Sequence, residues 1–271
     1  MRYEKSTAFL SLPKDCPSFL EIAKVMGSPL RLPCRRSGHA STGSGKRVFL
    51  VALAGASLIG TAPAAHDWVG TVMQAANGAY VLGNPKAKVR LVEYISYSCS
   101  HCAHFTGEAK VPLKRDYVAK GLVSVEFRNA VRDQFDMTAA LLARCGGAAR
   151  FFGNSEAIMA SQDQWLGKAQ AFTDTNGKAL AKMPPNQGFA AISRGVGLNA
   201  VMQTRGFTAA QQSACLINKP NQDRIVAMTN EAWQVRKING TPAFMVDGVM
   251  LSNAGTWSVV EGAIKTALEL K

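Results

Sequence analysis

Apolar positions in the first half of the chain follow the spacing of strands, then of a helix, then of a strand again. The apolar run Tyr80–Leu82 and the β-branched and aromatic run Val89–Ile95 flank a Gly-Asn-Pro turn, which predicts two strands. From 99 to about 120, apolar residues recur every three or four positions and predict a helix, which Pro112 should kink because proline removes a backbone hydrogen bond. The alternating stretch 122–127 predicts another strand, so the three elements form a parallel, right-handed crossover.

Between about 133 and 228 the strand pattern disappears and helical spacing takes over. The segments MTAALLARC, ARFFGNSEAIMA and TAAQQSACLIN each place apolar residues on one face, and Thr208 and Gln211 have capping-box spacing. A helical block of this size, entered from one strand and left before the next, predicts an α-helical domain inserted into a sheet domain. We place the insertion at 133–222, between sheet-domain parts at 66–132 and 223–271.

The end of the chain returns to strands. RIVAMTNEAWQVRKI predicts a further helix, and PAFMVDGVML predicts two short strands joined by a hairpin at Asp247 and Gly248. Ser258 and Glu261 have capping-box spacing at the start of a last helix. The predicted fold class is therefore α/β, a sheet domain with a helical insertion.

The first 65 residues have the pattern of a leader and export signal rather than of a fold. Lys46 and Arg47 precede an apolar run at 48–60, too short to span a bilayer, and Ala62-Pro63-Ala64 has the small-x-small form of a cleavage site. We expect cleavage near Ala64 or Ala65. The alternatives are an uncleaved anchor and a buried core helix.

Charge and cysteine content change once the leader is set aside. Nine of the 31 Lys and Arg and three of the 18 Asp and Glu lie in 1–65, so the net charge falls from +13 to +7. Without a basic cluster or aromatic platform, this surplus excludes a nucleic-acid footprint. Four of the six cysteines remain, and an even number in an oxidising compartment suggests pairs.

The motif Cys99-Ser100-His101-Cys102 has four interpretations. Haem attachment fails because Ala103 stands where a histidine is required. Structural zinc lacks a second cysteine pair at the usual spacing, although a nearby histidine could join a copper or zinc site. A structural disulfide across so small a loop would add little stability.

The redox interpretation fits the context best. Cys99 follows a predicted strand and begins a predicted helix, where free N–H groups and the positive end of the helix dipole favour a thiolate. His101 adds a donor or a positive charge. The expected result is a low pKa for Cys99 and an oxidising disulfide.

The stretches VEYISYSCSHCAHF, ALLARC and INGTPAFMVDG together resemble the DsbA-like thiol:disulfide oxidoreductases, in the branch with a thioredoxin-4-type domain. The resemblance covers about 75–270. It implies a thioredoxin-like fold with an inserted helical domain, with Cys99 as the exposed, attacking cysteine and Cys102 as its buried partner. It also implies that Glu93 is a buried acid that helps to move protons, whereas the alternative from the residues alone is an edge-strand surface position.

The same resemblance assigns further residues. Thr241-Pro242 matches the cis-proline loop that faces the cysteines and binds an extended substrate peptide. Cys145 and Cys215 match a second, structural disulfide, while the alternative is two free buried thiols. Ser100 departs from the proline common in strong oxidants of the family, which leaves the redox potential open.

The expected function is a monomeric, exported dithiol oxidase of the periplasm or cell envelope. It would donate the Cys99–Cys102 disulfide to reduced or unfolded exported proteins, with no cofactor beyond that disulfide and no metal, and a DsbB-like, quinone-linked membrane oxidase would re-oxidise it. The alternatives are a disulfide isomerase or reductase with the same site, and a copper- or zinc-binding module.

Overall fold

The computed structural model describes residues 66–271, and the predicted leader and export signal lie outside the described residues. The strands are β1 Val72–Gln74, β2 Tyr80–Leu82, β3 Val89–Ile95, β4 Val123–Asn129, β5 Ala243–Val246 and β6 Val249–Met250. They form one sheet in the order β1-β2-β4-β3-β5-β6, in which β3 and β4 are parallel and the other neighbours antiparallel. The predicted parallel pair and the hairpin at Asp247 and Gly248 are confirmed.

Helices fill the chain between β4 and β5, as the apolar spacing predicts. The helices between β4 and β5 are α2 Gln134–Ala143, α3 Ala148–Ala160, α4 Gln162–Leu166, α5 Ala169–Leu180, α6 Pro185–Val196, α7 Leu198–Thr204, α8 Ala209–Leu216 and α9 Lys219–Asn230. Helix α1, Ser100–Pro112, lies between β3 and β4, and helix α10, Trp257–Glu269, follows β6. The Thr208 hydroxyl and the Gln211 side chain form the predicted capping box of α8. The helical insertion is thereby confirmed, while its domain boundaries stay predictions.

Pro112 changes the first helix where the sequence predicts a kink. Helix α1 ends at Pro112 and continues as a π-helical segment, Leu113–Val118. Proline has no N–H to donate, so the regular hydrogen-bond ladder is interrupted there. The segment turns away at Gly121, whose φ of +68° suits a residue without a side chain.

The predicted capping box of the last helix is wrong. Ser258 and Glu261 lie inside α10, and the backbone N–H of Trp257 instead donates to Glu108 Oε2 at 3.1 Å. Glu261 accepts a hydrogen bond from the Tyr117 hydroxyl at 2.8 Å. A carboxylate from α1 therefore satisfies one of the free N–H groups at the start of α10.

One hydrophobic cluster joins the helical insertion to the sheet. It contains Ile95 and Phe127 from the sheet, Leu142 from α2, Phe151 from α3 and the thiol of Cys102. The cysteine pair thus lies where the insertion packs against the carboxyl ends of β3 and β4. Among the described helices, none is both long and apolar enough to cross a membrane.

Candidate active site

Two loops bring the predicted site residues together. Cys99 follows β3 and immediately precedes α1, and Cys102 lies in the first turn of that helix. The Thr241–Pro242 peptide bond, which is cis as the resemblance implies, precedes β5, and β5 pairs with β3. The Cys99 sulfur lies 3.0 Å from the Thr241 carbonyl oxygen, to which the thiol donates a hydrogen bond when it is protonated, so the two loops are in direct contact.

The surroundings of Cys99 favour its thiolate. A hydrogen bond from the Cys102 thiol is the largest cause that lowers the pKa of Cys99 to about 4. Burial opposes it, while the Thr241 side chain, the Cys102 backbone N–H and the charge of Arg132 add to it. The Thr241 hydroxyl is buried and has no other partner in the described part of the chain, so it is placed to donate to a thiolate. Cys99 is therefore ionised at neutral pH.

Cys102 has the opposite character. Its side chain is fully buried, and burial raises its pKa well above the ordinary value, with a further contribution from the Cys99 hydrogen bond. Both thiols are free, so the pair is in the dithiol state. Cys99 is only 5% exposed, so the exposed position that the resemblance implies for it is wrong. One sulfur is a stable thiolate and the other a protonated thiol, which is the division of roles that the attacking and resolving positions require.

His101 lies exposed on the first turn of α1, and its part in the site stays a prediction. The charged residue that lowers the pKa of Cys99 is Arg132, which the sequence reasoning missed. Arg132 follows β4 as Cys99 follows β3, and the carboxyl ends of neighbouring parallel strands meet at one edge of a sheet. That order of elements is the signal that could have identified it.

Glu93 lies on β3, between β4 and β5 in the middle of the sheet, so the alternative of an edge-strand position is wrong. Its side chain is 8% exposed, and burial, followed by repulsion from Glu156, raises its pKa to about 7. It lines a cavity of about 50 Å³ beneath α1, together with Phe105, Lys114 and Glu156. A carboxyl group that titrates near neutral pH suits a proton-transfer role, which stays a prediction.

Replacing Glu93 by Gln should remove part of the pH dependence of stability. The pKa of this carboxyl rises from the ordinary 4.5 to about 7 on folding, so the native state keeps a proton that the unfolded state has lost across that window. The wild type should therefore lose about 3 kcal/mol of unfolding free energy between pH 4.5 and 7 through this group, and Glu93→Gln should not. Urea unfolding at several pH values measures this difference.

Glu156→Gln is the matched control, because Glu156 raises the pKa of Glu93 less than burial does. The Glu156→Gln variant should lose less unfolding free energy between pH 4.5 and 7 than the wild type, but more than Glu93→Gln. Identical pH profiles for the wild type and Glu93→Gln would show that the Glu93 carboxyl does not titrate as described.

A second cysteine pair lies in the helical insertion. Cys145, just after α2, and Cys215, in α8, form a disulfide with a Cα–Cα distance of 5.6 Å, as the resemblance implies. This bond spans 70 residues of the chain. Across 66–271, no three His, Cys, Asp or Glu side chains are grouped to hold a metal ion.

A known protein family matches the part of the chain that contains the site. A protein family described as thioredoxin matches residues 75–266, more than half of the chain. The chain belongs to this thioredoxin family. The motif resemblance to DsbA-like thiol:disulfide oxidoreductases is confirmed.

Relatives of this thioredoxin-family chain are named as protein-disulfide oxidoreductases. Proteins named "Putative protein-disulfide oxidoreductase" from Rickettsia typhi and Rickettsia conorii are each 28% identical, over 194 and 190 residues. The matches cover 71% and 70% of this chain but only 63% and 60% of those proteins. The chain thus spans less than two thirds of the length of these relatives.

Solved structures agree on the fold. A protein-disulfide isomerase from Novosphingobium aromaticivorans is 36% identical with a TM-score of 0.68, covering 72% of this chain and 99% of that one. Alpha-DsbA1 of Wolbachia pipientis has a TM-score of 0.58 at 20% identity, covering 73% and 94% respectively. The thioredoxin-like fold with its helical insertion is thereby confirmed.

Proposed function

We propose that this protein is an exported dithiol oxidase that donates the Cys99–Cys102 disulfide to newly exported proteins. The observation that carries the proposal is the asymmetry of the two thiols, since Cys99 is held as a thiolate with a pKa of about 4 and Cys102 is fully buried and protonated. Stabilising the thiolate favours the dithiol over the disulfide, and a disulfide that is readily reduced is an oxidant.

The proposed reaction takes place in two exchange steps. A substrate thiolate attacks Sγ of Cys99 in the oxidised protein, the Cys99–Cys102 bond breaks, and its electron pair passes to Cys102, which takes up a proton because its pKa is high. A second substrate thiolate then attacks the substrate sulfur of the mixed disulfide and releases Cys99 as its stable thiolate. The substrate loses two electrons and two protons. The protein gains both electrons and one proton, which stays on Cys102, while Cys99 remains a thiolate and the second proton passes to solvent.

Substrate placement follows from the cis-proline loop. Thr241 contacts the Cys99 sulfur through its carbonyl oxygen, so a peptide lying beside this loop would have its cysteine next to Cys99. Backbone groups of an extended peptide can pair with such a loop as a strand does. We propose that Thr241 and Pro242 bind reduced, unfolded chains in this way.

Location and partners belong to the same proposal. The leader pattern at 1–65 and a structural disulfide between Cys145 and Cys215 both suit an oxidising compartment outside the cytoplasm. A dithiol oxidase must be re-oxidised after each cycle, and a quinone-linked membrane protein of the DsbB type is the proposed electron acceptor. The protein would act as a monomer and without a cofactor beyond its disulfide.

A second candidate, disulfide isomerase, is favoured by the name of the Novosphingobium aromaticivorans structure. Two assays on one preparation separate the candidates. An oxidase should restore activity to reduced, denatured ribonuclease when supplied as its disulfide form, with little effect on scrambled ribonuclease. Reactivation of scrambled ribonuclease by the dithiol form, without net oxidation of the reduced substrate, would overturn the oxidase proposal.

A further inference from the structure

The loop between β3 and α1 is held by the helical insertion, not by its own residues alone. Gln162 of α4, which is buried, donates hydrogen bonds to the Tyr97 and Cys99 carbonyl oxygens at 2.7 and 2.9 Å. Asp136 of α2, also buried, accepts hydrogen bonds from Ser96 Oγ at 2.6 Å and from the Tyr97 N–H at 2.7 Å. The position of Cys99 therefore depends on contacts with residues far from it in sequence.

Arg132, between β4 and α2, makes the charged contacts to this loop. Its Nε donates to Ser96 Oγ at 3.0 Å, and its Nη2 donates to the carbonyl oxygen of Ser98 and to Ser98 Oγ, the latter at 3.2 Å. A guanidinium group is planar and always charged, so three hydrogen bonds hold its charge in one place. Ser98 is the residue before Cys99, so the charge is fixed on the same loop as the reactive cysteine and lowers its pKa, though less than the hydrogen bond from Cys102 does.

The other ionisable groups around the loop do not replace this charge. Asp133 accepts a hydrogen bond from Ser98 Oγ at 2.8 Å and would oppose a thiolate. Burial, with Asp133 as a second cause, raises the pKa of the Asp136 carboxyl to about 7, so that carboxyl is partly protonated at neutral pH. His101, in the first turn of α1, follows Cys99 in the sequence, whereas Ser98 precedes it, and the His101 side chain is exposed. Arg132, in contrast, lowers the pKa of Cys99.

We propose that Arg132 is a positioning residue of the thiol:disulfide site, which uses its hydrogen bonds to Ser96 and Ser98 to fix a positive charge beside Cys99. This inference rests on the proposed redox function and adds a residue to it. Arg132 is itself exposed, so solvent and salt screen its charge, and the expected effect is moderate.

Three substitutions of Arg132 separate the effect of its charge from the effect of its hydrogen bonds. Arg132→Met removes the charge and the hydrogen bonds, Arg132→Gln keeps a neutral donor, and Arg132→Lys keeps the charge. The pKa of Cys99, followed by thiolate absorbance, should rise by up to about one unit in the Arg132→Met and Arg132→Gln variants. Their equilibrium constant with glutathione should shift up to about tenfold toward the disulfide, equivalent to about 30 mV. Arg132→Lys should recover part of both effects, because it keeps the charge but cannot make all the guanidinium hydrogen bonds to Ser96 and Ser98.

Arg115→Met is the matched control. It removes one exposed arginine from the π-helical segment after α1, about 20 Å along the helix from Cys99, and should leave the pKa and the potential unchanged. The difference between the wild type and Arg132→Met should also shrink in about 1 M salt, where charges are screened within about 3 Å. A purely structural role would not give that salt dependence.

The Arg132 inference and the proposed oxidase function can fail independently of each other. Oxidation of a reduced substrate by the wild type decides the proposed function, whereas the inference is decided by differences between wild type and variants. Folded Met and Gln variants with the wild-type pKa and potential would overturn the inference, and so would a Lys variant that behaves as Met does. Thermal unfolding of each variant confirms that it is folded, and if Met does not fold, Gln and Lys still decide the question.

Discussion

Cys99→Ser will abolish dithiol oxidation, and Cys102→Ser will accumulate a covalent mixed disulfide with substrate through Cys99. Without Cys99 no exchangeable disulfide can form. Without Cys102 the Cys99 thiolate can still exchange with an oxidised substrate or reagent, but no neighbouring thiol resolves the product. The low pKa of Cys99 and the complete burial of Cys102 give the two variants these different outcomes.

Non-reducing electrophoresis and mass spectrometry after thiol alkylation measure both outcomes. Ser100→Ala is the matched control, because it changes an exposed residue between the cysteines and keeps both sulfurs. It should retain oxidation and trap no intermediate. Mixed disulfides that form through Cys102 in the Cys99→Ser variant would reverse the roles assigned here.

Removing the Cys145–Cys215 disulfide by a double substitution to Ala should lower the unfolding free energy by about 4 kcal/mol. The bond closes a loop across 70 residues and so restricts the unfolded chain. In the chain-entropy model, removing this restriction stabilises the unfolded state by about 4 kcal/mol. Urea unfolding measures it, through a lower midpoint and a steeper slope, because the unfolded chain is more expanded without the cross-link. Substrate oxidation at low temperature should persist, because neither cysteine belongs to the Cys99 site.

Reductant provides the control for this prediction. In a background where Cys99 and Cys102 are both serine, a reducing agent should lower the stability of the protein with the intact disulfide to that of the double alanine variant. The alanine variant should not respond to it. An unchanged midpoint for the disulfide form in reductant would contradict the stabilising role of this bond.

The sequence predicts the elements that depend on local patterns. β-branched runs give β3, three- and four-residue spacing gives α1, and together they place Cys99 at a strand-to-helix junction, as the structure has it. The resemblance adds the cis bond at Pro242 and the Cys145–Cys215 pair, which periodicity alone does not specify.

Contacts between distant parts of the chain are not predicted, because no local pattern encodes them. Glu108 caps α10 across 149 residues, and Gln162 holds the Cys99 carbonyl across 63. Arg132 reaches the active-site loop across 34 residues, and it is visible from sequence only once β3 and β4 are known to be parallel neighbours. The motif itself makes the largest contribution to the Cys99 thiolate, through the hydrogen bond from Cys102, and tertiary contacts such as those of Thr241 and Arg132 add to it.

The central claim is that Cys99 is a stabilised thiolate and that its disulfide is therefore an oxidant. The most direct test follows thiolate absorbance of the purified protein against pH and equilibrates the same protein with glutathione. We predict a Cys99 pKa near 4, far below the value of about 8.5 for free cysteine, and a potential well above the about −270 mV of thioredoxin. A pKa close to that of free cysteine together with a thioredoxin-like potential would contradict the account and identify a reductase.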